Sequence, residues 1–95
     1  MRLRLSLRAK FDIKRIYLNG ARSFGVRQAD TYQTGLLDTL KLIASNPLLA
    51  HERLGFSRPV RIHQYQSHLI AYSLDEQGVW VVRILHAHQN LRRIL

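Results

Sequence analysis

RPVRIHQYQSHLIAYSLDEQGVWVVRILHAHQN, residues 58–90, reads as three short strands in series. The expected strands are 58–65, 68–74 and 79–86, rich in β-branched and aromatic residues and bounded by turn residues. Gln66-Ser67 forms a tight turn. Asp75-Glu76-Gln77-Gly78 forms another, with glycine supplying the positive φ. A two-residue turn at 66–67 sets Tyr65 opposite His68, His63 opposite Ile70 and Arg61 opposite Tyr72. A loop at 75–78 sets Leu74 opposite Val79, Tyr72 opposite Val81 and Ile70 opposite Arg83. Alternation then places Arg61, His63, Tyr65, His68, Tyr72 and Arg83 on one face. Val60, Ile62, Leu69, Ala71, Trp80, Val82 and Ile84 share the other, which is the face expected to pack on helices. Arg83 is the sensitive assignment, because a one-residue slip in the last strand moves it to the buried side.

Upstream, Arg2 to Ser6 alternates as a strand, with Leu3 and Leu5 on one side. Ser6 is placed to cap a helix. Ala9, Ile13, Ile16, Tyr17, Gly20 and Phe24 recur at helical spacing, and Gly25 is a natural stop. A second helix carries Ala29, Tyr32, Leu36, Leu40 and Ile43 and ends at Asn46-Pro47. With so few residues between them, the helices form an antiparallel hairpin. Gly20 and Gly35 lie inside these helices, either to let the backbones approach or simply because they are tolerated. Residues 48–57 read as an irregular connection. The tail HQNLRRIL reads as a last helical turn or a loose end, with Arg92-Arg93 a solvated pair or a basic hook. The order β-α-α-β-β-β indicates an α+β fold, with the helical hairpin on one face of a mainly antiparallel sheet, and one domain spanning residues 1–95.

The chain carries 15 Lys and Arg against 6 Asp and Glu, a net charge of +9. Residues 1–27 hold eight cations and one acid, 28–57 two and three, and 58–95 five and two. This balance points to nucleic acid or an acidic protein partner. There is no cysteine, which excludes disulfides and thiolate metal sites. The basic start lacks the apolar segment of a signal peptide, and no run approaches a membrane span, so a soluble cytoplasmic chain is expected. Glycine-rich phosphate loops, a Ser-His-Asp signature and paired carboxylates are absent. His86-x-His88 has no acid or cysteine nearby to complete a metal shell, and no metal or cofactor is expected. Arg61, His63, His68 and Arg83 form the set a metal-free ribonuclease would need: arginines to hold phosphate, histidines to move protons near neutral pH. Phe11 and Leu18, flanked by Lys14, Arg15 and Arg22, suit a partner that is both apolar and acidic.

Several of these segments, taken in order, carry a resemblance. They are Ser6-x-x-Ala9-x-x-Asp12-Ile13-x-x-Ile16; Phe24-Gly25-x-x-Gln28-Ala29-x-x-Tyr32; Asn46-Pro47; Arg61-x-His63; His68-Leu69-Ile70-x-Tyr72; and Arg83-Ile84-Leu85-His86. Over nearly its whole length the chain resembles the ParE toxins of bacterial type II toxin–antitoxin modules, within the RelE/ParE superfamily. The resemblance implies a growth-inhibiting, non-enzymatic poison of DNA gyrase and an acidic ParD-like antitoxin that wraps the toxin. It makes Arg61, Tyr65, His68, Tyr72, Arg83, His86, Arg92 and Arg93 target-binding candidates, and Phe11, Lys14, Arg15, Leu18 and Arg22 antitoxin-binding candidates. The alternative branch, the RelE-like ribosome-dependent mRNA endonucleases, uses basic and proton-transferring residues on the sheet. This chain has few lysines there and ends His86-Ala-His-Gln without the tyrosine often found in that branch. Asn90 stands where ParE-like toxins often carry an acid.

Overall fold

The computed structural model describes residues 2–95. Strand β1 (Leu3–Leu5) leads into helix α1 (Leu7–Phe24) and helix α2 (Val26–Ser45). Strands β2 (Glu52–Arg53), β3 (Val60–Tyr65), β4 (His68–Asp75) and β5 (Gly78–His86) follow, then a short helix α3 (Leu91–Ile94). The sheet order is β1-β5-β4-β3-β2, parallel only between β1 and β5. This is the expected α+β arrangement, with β2 emerging from the connection that sequence left irregular.

Local chemistry sets the helix ends. The Ser6 hydroxyl oxygen accepts the Ala9 N–H at 2.9 Å and donates to the Val82 carbonyl at 2.6 Å, so one side chain caps α1 and ties it to β5. Gly25, at φ 93°, closes α1 and permits α2 to start at the next residue. The Asn46 N–H ends α2 on Leu42 and Ile43 carbonyls, just before Pro47. Tyr17 of α1 donates to Asp30 of α2 at 2.7 Å across the hairpin. The two helical glycines differ. A methyl added at Gly20 would meet that of Ala29 at 3.7 Å, an ordinary contact. One added at Gly35 would run into the Tyr65 hydroxyl, so Gly35 makes room for a strand side chain rather than for the other helix.

The hairpin registers hold where turns define them: Tyr65 opposes His68, Arg61 opposes Tyr72, and Leu74 opposes Val79. Beyond Tyr72 the expectation fails. An irregularity between Ala71 and Tyr72 shifts the β4–β5 register, so Ile70 faces Ile84 and Arg83 faces Ala71. The assignment of faces is also reversed, except for Ile84, which lies on the helix side as expected. The helices cover Ile70, Tyr72, Val79, Val81 and Ile84, which join Ala9, Leu36, Leu40 and Ile43 in the main core. Val60, Ile62 and Ala71 form a second, smaller cluster beneath Phe56, Leu69, Leu91 and Leu95. Trp80, expected under the helices, is partly exposed with the Arg4 guanidinium 5.3 Å from its ring centre. Tyr72 explains the reversal. Its ring is fully buried and its hydroxyl donates to the Pro47 carbonyl at 2.8 Å, so a residue counted as polar is a core residue with a satisfied polar tip.

Candidate functional site

One charged side chain among the described residues is buried in the core: Asp12 of α1, 1% exposed. Its carboxylate accepts from Arg83 Nε at 2.8 Å and from a second nitrogen of that guanidinium at 3.0 Å. It also accepts from Arg15 at 2.7 Å and from the Ile84 N–H at 2.9 Å. Such a fork-to-fork pair gives geometry as well as energy. The carboxylate raises the pKa of Arg83 further above its already high value, chiefly through these hydrogen bonds. Asp12 thus docks α1 on β5, 71 residues away. The sequence signal was an acid lying between Ala9 and Ile16 on the apolar stripe of α1.

This junction separates two concave surfaces. On its outer side, Phe11 and Leu18 of α1 stand 61% and 49% exposed. They line an open groove of about 440 Å³ with Arg8, Lys14, Arg15 and Arg22. Among the described residues Arg8, Lys14 and Arg22 make no ion pair, and Arg15 is held only by Asp12. All five residues expected to meet an acidic, apolar partner therefore lie together.

On the inner side, α1, α2, the β3–β4 turn and the end of β5 enclose a cleft of about 610 Å³. Tyr32 of α2 stands over it. Its hydroxyl lies 2.7 Å from His68 Nδ1, and its ring centre 5.1 Å from that of Tyr65. The row of rings continues from His68 to His86 at 5.3 Å and from His86 to His88 at 4.9 Å. Burial, then the neighbouring His86, lower the pKa of His68, with Asp12 acting weakly the other way. Burial likewise raises that of Tyr32. Both shifts favour the neutral forms.

The remaining candidates are dispersed. Arg61 donates to the Ala50 carbonyl at 2.7 Å. It stands opposite Tyr72, four residues along β4 from His68 and so about 13 Å away at ~3.3 Å per residue. No hydrogen bond or ring contact joins His63 to His68 among the described residues. Tyr72 is inside the core and offers no binding surface. Arg92 reaches the Gly55 carbonyl at 3.4 Å and lies 5.8 Å over the Phe56 ring, while Arg93 is exposed. Asn90 caps α3 by accepting the Arg93 N–H at 3.4 Å. The ribonuclease set Arg61, His63, His68 and Arg83 is thus not gathered around one point. No group of three or more His, Cys, Asp or Glu is placed to hold a metal among the described residues. Among the described residues no helix is long and apolar enough to cross a membrane.

A sequence model described as "ParE toxin of type II toxin-antitoxin system, parDE" matches residues 3–91. The chain belongs to the ParE toxin family. It is 32% identical over 89 residues to the protein named Toxin ParE1 of Caulobacter vibrioides, covering 94% of this chain and 92% of that one. A solved structure titled "Chromosomal ParDE TA system from P. aeruginosa" superposes with a TM-score of 0.78 at 17% identity, covering 90% of this chain and 95% of the other. That structure supports the ParE fold. The family model and the Caulobacter relative identify a ParE-type toxin of a type II toxin–antitoxin system.

Proposed function

We propose that this toxin arrests growth by binding DNA gyrase in the cytoplasm, without turnover of a substrate, and that a ParD-like acidic antitoxin neutralises it by covering α1. The gyrase target follows from the family resemblance. The observation that carries the binding mode is the groove on α1. Phe11 and Leu18 are solvent-exposed beside Arg8, Lys14 and Arg22, which make no ion pair among the described residues, and this suits an amphipathic segment with an acidic rim. The dispersal of the ribonuclease residues supports binding over catalysis, since Arg83 is committed to Asp12 and Arg61 to a backbone carbonyl. Residues 1–95 would act as one toxin domain.

Purified toxin added to gyrase should abolish supercoiling or accumulate cleaved DNA, and added antitoxin should reverse it. An unaffected gyrase at stoichiometric excess of toxin would refute the target. The competing reading is a RelE-like ribosome-dependent endonuclease, favoured by the His68–His86 pair at the cleft. Its signature is message cleavage on the ribosome that disappears in His68→Ala.

A further inference from the structure

The inner cleft is lined differently from the outer groove assigned to the antitoxin. Its volume of about 610 Å³ falls within the ~300–1,000 Å³ of small-ligand sites. Among the rings that line it, Tyr32, His68 and His86 are joined edge-on at 5.5 and 5.3 Å. The amides of Gln28 and Gln33 line its α2 side, and neither makes a hydrogen bond among the described residues. Arg15 supplies a guanidinium from α1, and no Asp or Glu lines the cleft. The histidines are oriented. His68 meets the Tyr32 hydroxyl through Nδ1. His86 Nδ1 accepts the His88 N–H at 3.2 Å, so in its neutral form Nε2 carries the proton and donates.

Flat rings to stack on, amides that both donate and accept, and the mostly exposed Arg15 guanidinium, whose Asp12 partner lies outside the cleft lining, match the three parts of a nucleotide. The rings match the base face, the amides the base edge, and the guanidinium the phosphate. We infer that this cleft binds a nucleotide, free or as an unpaired residue of a single strand, with the base among Tyr32, His68 and His86 and the phosphate towards Arg15. A paired base keeps its edge and faces inside the duplex, so double-stranded DNA does not satisfy the site. An acidic peptide would answer the cation but leave the rings and amides unused. The inference is independent of gyrase being the target, because it concerns the isolated toxin.

The test measures fluorescence anisotropy of a labelled six-residue deoxyadenylate strand with the full chain, using AMP as competitor. The strand should bind, with a duplex of the same length about tenfold weaker. His86→Ala, at an exposed position, should weaken binding about tenfold, the scale of one lost stacking partner. Gln28→Glu, also exposed, should do the same by placing an acid in the cleft. Lys14→Glu, in the outer groove, should stay within about twofold at fixed salt. Displacement by AMP supports the site and assigns it to free nucleotides; binding that AMP does not displace supports it and assigns it to strands. Absence of binding by both probes overturns the inference. So does binding that His86→Ala and Gln28→Glu leave unchanged, or that Lys14→Glu reduces equally.

Discussion

The cations of α1 and those of the sheet differ in what they touch. Arg8, Lys14 and Arg22 point from the outer groove into solvent beside exposed Phe11 and Leu18. Arg61 and Arg83 are occupied, one by the Ala50 carbonyl and the other by buried Asp12. Arg15 stands between the two groups, salt-bridged to Asp12 yet mostly exposed. Net charge treats all of these alike. The structure separates cations that build the fold from cations available to a partner, and Arg8, Lys14 and Arg22 of α1 are among the available ones.

That contrast can be broken by experiment, and the largest effect should come from the ion pair that holds Arg83. Asp12→Ala strands Arg83, whose side chain is 13% exposed, and orphans the Ile84 N–H. The expected loss is about 3–5 kcal/mol, the scale for removing one partner of a buried pair, read by denaturant unfolding. A loss below about 1 kcal/mol would mean that Arg83 is not structural. On the helix side, Phe11→Glu should leave unfolding nearly unchanged and weaken the antitoxin by about 2 kcal/mol or more, roughly thirtyfold in Kd, measured by calorimetry. If Arg61→Ala weakens the antitoxin and Phe11→Glu does not, the groove is not its site.

Gly35→Ala sharpens the boundary between core and cleft. The added methyl drives into the Tyr65 hydroxyl, so a cost of about 1–3 kcal/mol is expected, while Gly20→Ala should cost little. The smallest effect concerns pH. His68 has a folded pKa below its ordinary value of about 6.5, so the unfolded chain binds more protons between the two values. Stability therefore rises with pH through that window and falls on acidification below about 6.5. His68→Gln should flatten that part of the profile of thermal midpoint against pH.

The sequence was legible where structure is local. Ser6, Gly25 and Asn46-Pro47 act within a turn of their helices, and all three bound them as expected. The Gln66-Ser67 turn set the β3–β4 register, because a two-residue turn leaves one way to pair the strands. Phe11, Lys14, Arg15, Leu18 and Arg22 could be grouped in advance, since helical spacing alone puts them on one surface. The ring row at the cleft was only half visible. His68 and Tyr65 were paired across a known turn, but Tyr32 arrives from a helix 36 residues before His68.

Sequence by itself determined the order of the main elements, the helix ends, the β3–β4 pairing and the apolar-basic surface of α1, because each depends on residues a few positions apart. Tertiary structure decided which sheet face the helices cover. Both faces alternate with the same period and both carry apolar residues, so alternation cannot choose between them. A buried Tyr72 hydroxyl finding the Pro47 carbonyl reversed the choice. The irregularity at Ala71/Tyr72 reset the phase of β5. Asp12 and Arg83, 71 residues apart, became partners only once α1 lay on that strand, and their pairing moved Arg83 from the candidate site into the framework.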